Sequence, residues 1–119
     1  MALYGGDYLQ NLLYYDWVDG ERQRLEDKFL QLLVDSAEYK AQNKNYLAAI
    51  DLITQAIKRD ALRESFYCRA MDYYAAMNNR SGLIRCYQAL TEELLESLNL
   101  PPSARTQQQY QQHLGLARE

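Results

Sequence analysis

Apolar residues recur every three to four positions over most of the chain. Tyr46, Ala49, Ile50, Ile53, Ala56 and Ile57 keep that spacing closely and predict a helix from about Tyr46 to Arg59. Upstream, Leu25, Phe29, Leu32, Leu33, Ser36 and Tyr39 define one face of a helix from about Asp19 to Gln42, and Asn43-Lys44-Asn45 reads as a turn. Downstream, a third helix from about Leu62 to Met77 turns Phe66, Ala70, Tyr73, Tyr74 and Met77 inward. Asp60 is its expected N-cap, because a carboxylate accepts from the free backbone N–H groups of a first turn. Asn78-Asn79-Arg80 turns the chain again. Ser81 is placed to cap a fourth helix that buries Leu83, Ile84, Tyr87, Leu90, Leu94 and Leu98. Asn99 suits a left-handed C-terminal position, Pro101 and Pro102 forbid continuation, and Ser103 caps a last helix to about Leu114 with only Tyr110 and Leu114 on its face. No alternating strand pattern exceeds a few residues.

The second helix pair repeats the first at an offset of 34 residues. Leu33 corresponds to Tyr67, Ala37 to Met71, Tyr39 to Tyr73, Ala49 to Leu83, Ile50 to Ile84, Ile53 to Tyr87 and Ala56 to Leu90. Two helices per period of about 34 residues is the signature of tetratricopeptide (TPR) repeats. The expected fold is therefore all-α: TPR-like stacked helical hairpins, about five helices, in a right-handed superhelical arrangement. Residues 19–119 form that domain, with residues 1–18 as a lead-in segment packed on it. In the lead-in, Gly5-Gly6 opposes helix nucleation. A loop or short turn is expected there, packed by Tyr8, Leu9 and Trp17.

The chain has 119 residues, enough for one core without a staple. Its formal net charge of −3 argues against these residues gripping nucleic acid, which calls for a basic stripe. The mixed run Arg22, Arg24, Glu26, Asp27 and Lys28 reads as a solvated face. Cys68 and Cys86 fall inside helical patterns and read as small buried hydrophobes. The opening residues lack the pattern of a signal peptide, no apolar run is long enough to span a membrane, and the sequon at Asn79 reads as accidental.

Little here suggests catalysis. His113 is the sole histidine and reads as a surface residue. No His/Cys spacing suits zinc, and Gly5-Gly6 opens no phosphate-binding unit. Glu92, Glu93 and Glu96 read as a solvated face rather than an acid–base pair. Neither cofactor nor metal is expected. The 11 tyrosines are unusual. Tyr14, Tyr15, Tyr67 and Tyr73 cannot all be assigned inward, and a tyrosine left at the surface suits protein contact as well as tyrosines inside suit helix packing.

Several short motifs, in order, resemble one family. They are Asp60-Ala61-Leu62-Arg63-Glu64, then Asn79-Arg80-Ser81-Gly82-Leu83-Ile84-Arg85-Cys86-Tyr87, then Glu92-Glu93-Leu94, then Leu98-Asn99-Leu100-Pro101-Pro102-Ser103. Upstream, Tyr4, Gly6-Asp7-Tyr8-Leu9, Asp16-Trp17 and Glu21-Arg22 fit the same pattern. Together they resemble the bacterial transcriptional activator domain (BTAD) of SARP-type regulators and some response regulators, from about Leu3 to Leu114. Ala61 stands where the family usually has proline, Asn79 and Asn99 where it often has glycine, and Leu83 where it has alanine. The resemblance implies a cytoplasmic transcription regulator. It also implies a winged-helix DNA-binding domain ahead of this segment, so that DNA is read by a domain outside this chain.

On that reading the helix pairs present a surface for self-association or for contact with the transcription machinery. Trp17, Arg22, Arg63, Arg69 and Tyr73 are the candidate contact residues, since interfaces favour aromatic and guanidinium side chains. A free-standing TPR adaptor holding a peptide in its concave groove is the alternative. A small ligand between the helix pairs is a third possibility.

Overall fold

The 34-residue offset is carried into the backbone itself. Lys44 and Asn78, 34 positions apart, are both left-handed, with φ of 62° and 57°. Each is followed by an asparagine that caps the next helix. The Asn45 side chain accepts from Ala48 N at 3.4 Å, and that of Asn79 accepts from Gly82 N at 2.9 Å. The structure, a computed structural model, describes the backbone of residues 2–118 and the side chains of residues 13–115. Among the described residues the elements are α1 (Ala2–Gln42), α2 (Tyr46–Arg59), α3 (Glu64–Ala76), α4 (Arg80–Leu98) and α5 (Ala104–Arg118), with no strand. The chain divides into two units, Met1–Leu32 and Leu33–Glu119, and the division falls inside α1.

In the second unit α3 packs on α2, α4 and α5, and α4 also meets α5. Repeat-related positions are buried in pairs: Leu33 with Tyr67, Ala37 with Met71, Ala49 with Leu83, and Ala56 with Leu90. The alanines let the helices approach closely, and each fully buried aliphatic side chain contributes about 1.5–3 kcal/mol. This is the all-α, TPR-like arrangement that the periodicity predicts.

Several details differ from the sequence reading. On α1 the buried stripe is Leu30, Leu33, Val34 and Ala37, whereas Leu25, Leu32 and Tyr39 are exposed. Two apolar stripes share this helix, and the repeat, not the number of apolar residues, marks the one that is buried. On α3, Tyr67 and Met71 are buried alongside Phe66, Ala70 and Tyr73, while Tyr74 and Met77 are only half-buried. On α4, Leu98 is exposed, because the helix has run past the core before Asn99 (φ 53°) ends it. Asn79, not Ser81, caps α4, and Asn78 just ahead of it takes the left-handed conformation. Asp60 terminates α2 instead of opening α3; its N–H donates to Ala56 O.

The segment expected as a loop is also different. Helix α1 begins at Ala2 and continues through Gly5-Gly6 without a break. A glycine inside a helix costs about 1 kcal/mol and does not forbid it, and no proline interrupts Ala2–Gln42. The side chains of Tyr8 and Leu9 lie outside those described. Trp17 packs no loop and is 64% exposed.

Candidate functional site

The last helix is joined to α3 by polar groups. Glu64, in the first turn of α3, accepts from Thr106 Oγ1 at 2.7 Å, from Ser103 Oγ at 3.1 Å and from Ser103 N at 3.2 Å. Ser103 in turn accepts from Thr106 N at 3.3 Å, the N-cap expected of it. Thr106 is buried, and its single hydroxyl hydrogen is committed to Glu64. The 3.4 Å contact between Thr106 Oγ1 and Cys68 Sγ therefore has the thiol as donor. Burial pushes the Cys68 thiol above its ordinary pKa, which keeps that proton in place.

A turn further along, Asp72 accepts from Gln109 Nε2 at 2.8 Å and pairs with His113 Nε2 at 2.7 Å. Gln109 Nε2 also donates to Cys68 O at 2.9 Å. His113 is thus not the surface residue the sequence suggests: its side chain is mostly buried against Asp72, and its Nδ1 is buried with no partner. Arg80 donates to Leu114 O at 3.3 Å, and the Tyr87 and Tyr110 rings stack at 3.9 Å with planes 2° apart.

Between α3 and α5 lies an open cleft of about 530 Å³, lined among others by Ser65, Cys68, Arg69, Asp72, Arg105 and Gln109. Its carboxylates, Glu64 and Asp72, are occupied by bonds to α5. Arg69 reaches Glu38 at 3.3 Å, and Arg105 is exposed. The cleft thus carries charge of both signs, Glu64 and Asp72 beside Arg105 and the Glu38-paired Arg69.

The structure brings two of the five candidate contact residues together. Arg69 and the Tyr73 hydroxyl both donate to Glu38 Oε2, at 3.3 and 3.4 Å, although the Tyr73 ring itself is 5% exposed and belongs to the core. Arg63 pairs with Asp60 at 3.0 Å, and its guanidinium carbon lies 5.0 Å from the centre of the Phe66 ring, so it braces the turn between α2 and α3. Trp17 and Arg22 lie in the first unit and are exposed. Trp17 sits beside Tyr14 with ring centres 6.5 Å apart. Of the four tyrosines in question, Tyr67 and Tyr73 are buried, and Tyr14 and Tyr15 are not.

Glu38, Asp72 and Thr106 were not singled out by the sequence reading. Only Glu64 and Ser103 carried a signal, as the ends of two separate family motifs. The cysteines are free thiols, each half-buried rather than fully enclosed. Burial raises the Cys86 thiol to about 12. No group of three His, Cys, Asp or Glu side chains among the described residues is arranged to hold a metal, and no helix among them is long and apolar enough to cross a membrane.

Helical hairpins stacked at a 34-residue period and closed by a polar-bonded terminal helix define a domain of TPR type. The family model of the bacterial transcriptional activator domain matches residues 1–114, and the chain belongs to that family. It is thus a domain associated with transcriptional activators, a regulatory rather than a catalytic class. No curated protein and no solved structure matches it.

Proposed function

We propose that this chain is the regulatory protein–protein interaction module of a bacterial, cytoplasmic transcription regulator. In this reading it couples a winged-helix DNA-binding domain, carried elsewhere in the regulator, to a protein partner. The partner is either a second copy or the transcription machinery. The observation that carries the reading is the face of the first unit. Tyr14, Tyr15, Trp17, Leu25 and Leu32 are all exposed by more than half, and exposed large apolar side chains are far denser over residues 13–32 (seven) than over residues 33–115 (six). A large apolar and aromatic surface on a chain with net charge −3 suits a protein surface far better than a nucleic acid.

A second reading, a peptide held by a TPR adaptor, draws on the cleft between α3 and α5. Arg105, exposed in its lining, would face an acidic side chain of such a peptide, and Asp72 a basic one.

The test is association of the purified chain with itself and with bacterial RNA polymerase holoenzyme, by sedimentation velocity. At least one association is expected, weakened by Trp17→Ala and Leu25→Glu with helicity unchanged. Association with neither, by a folded chain, overturns the reading. Loss on Arg105→Glu but not on Leu25→Glu moves the contact to the cleft.

A further inference from the structure

We propose that the groove between α2 and α4 binds a small aromatic carboxylic acid, its ring over Ala70 between Tyr67 and Tyr74 and its carboxylate on Arg85. The groove shares no lining residue with the α3–α5 cleft and none with the exposed face of the first unit. The proposal therefore stands apart from the interaction reading above.

Helices α2 and α4 both pack on α3 and leave a groove of about 250 Å³ between them. Tyr67, Ala70 and Tyr74 lie three and four residues apart, on one face of α3, and form its floor. Ala70 is the small member of the three, so space remains between the two rings. Ile57 of α2 and Ala89 of α4 supply apolar sides. Gly82 admits the Tyr74 ring: a Cβ there would fall 2.5 Å from Tyr74 Cε1, so only glycine lets the ring lie directly against the α4 backbone.

The polar groups of the lining decide the ligand's charge. The Tyr67 hydroxyl donates to Ala61 O at 2.9 Å, and the Cys86 thiol donates to Tyr67 O at 3.6 Å, so neither is available. Arg85 is the one charged side chain in the lining; it is exposed and has no ion-pair partner among the described residues. An amine would meet this guanidinium unfavourably, whereas a carboxylate takes two parallel N–H···O bonds from it. Asp51 and Glu93 act on Tyr74 and Tyr67 from outside the lining. They disfavour a phosphate or a diacid, so the ligand carries a single negative charge.

The volume sets the size. It falls below the roughly 300–1,000 Å³ of pockets for drug-sized ligands, which leaves room for one or two fused rings and a short acid. Ile57 belongs to the first helix pair and Arg85 to the second, so a bound acid bridges the two repeats.

Indole-3-acetate, indole-3-acetamide and tryptamine share a ring and differ in charge. Each is titrated into the intact chain at millimolar concentration near neutral pH. The acetate is expected to raise the melting temperature and to shift the methyl NMR signals of Ile57, Ala70 and Ala89. The amide should bind several-fold more weakly, and the amine most weakly. Arg85→Gln, at an exposed position, should reduce the acetate to the amide's affinity while melting as wild type without ligand. Ala89→Phe, also at an exposed position, should fill the groove and abolish the shifts at Ile57 and Ala70. The proposal is overturned if the acetate shifts none of the three methyl signals, if the amine binds as well as the acetate, or if Arg85→Gln binds the acetate undiminished.

Discussion

The hydroxyl of Thr106 donates to Glu64 at 2.7 Å across 42 residues of sequence. Glu64 begins α3 and Thr106 lies in the first turn of α5, so one carboxylate ties together the starts of two helices. It is well placed for this. A negative charge in the first turn of a helix is favoured by the free N–H groups there. The same carboxylate also takes the Ser103 hydroxyl and backbone N–H.

Glu64→Ala removes the acceptor for three donors. A loss of about 1.5–3 kcal/mol in stability is expected, the range for hydrogen bonds to charged groups. Thr106→Val should cost less, since Ser103 keeps its bonds to Glu64. The double variant should cost less than the sum, because both changes delete the same bond. Urea melts of the four chains measure this; strict additivity would show that the bond contributes nothing.

Ala49 and Ala56 have no exposed surface. Replacing either with leucine forces extra methylenes into a closed contact, which should lower stability by about 1–3 kcal/mol. Thermal melts unchanged in both variants would mean that the close helix contacts lie elsewhere.

Gly82 presents a sharper case. Alanine is the better helix former by about 1 kcal/mol, which alone would make Gly82→Ala stabilising. But a Cβ there would fall 2.5 Å from Tyr74 Cε1 and overlap Cδ1 of the same ring. The ring must move, and the overlap outweighs the propensity gain. Gly82→Ala is expected to melt lower than wild type, and Tyr74→Leu in the same chain should recover part of the loss. A higher melting temperature for Gly82→Ala would show that the ring yields freely.

Burial raises the Cys86 thiol to about 12 from an ordinary value near 9. A thiol raised on folding stabilises the fold fully while both states are protonated, below about pH 9. That contribution fades as the pH climbs through the interval toward 12, because the unfolded chain ionises first. Tyr67 and Tyr73, also raised by burial, act in the same direction. The stability difference between wild type and Cys86→Ala should therefore shift in favour of the variant between pH ~8 and pH ~11. A difference that stays constant over that range would contradict the burial of the thiol.

How much of this was legible in the sequence depends on what holds each element. Periodicity places helix α2 at Tyr46–Arg59 because its apolar positions keep a 3.6-residue period and all of its burial is apolar. The offset of 34 finds four pairs buried together, Leu33/Tyr67, Ala37/Met71, Ala49/Leu83 and Ala56/Leu90, but not Tyr39/Tyr73, Ile50/Ile84 or Ile53/Tyr87, in which one member is exposed or half-buried. It went wrong where a helix has two apolar stripes, as α1 does at Leu25–Leu32 and Leu30–Ala37. Caps were misplaced by two or three residues at Ser81 and Asp60, because Asn79 and Asp60 serve as well for the neighbouring role. The attachment of α5 is invisible to periodicity because Glu64, Asp72, Thr106 and Gln109 are polar, and a hydrogen bond between distant segments leaves no period. The Glu38 junction with Arg69 and Tyr73 was hidden for the same reason.

That mode of attachment has a consequence for how the molecule opens. A helix sealed by oil-like contacts releases only when the whole core melts, whereas one fastened by exchangeable protons and lone pairs competes with water bond by bond. Helix α5, apart from the Tyr87–Tyr110 stack, is of the second kind. Its amides around Gln107–Gln112 should exchange hydrogen at a lower free-energy cost than those of α2 around Ile53, so that the molecule unlatches at its last helix before it unfolds.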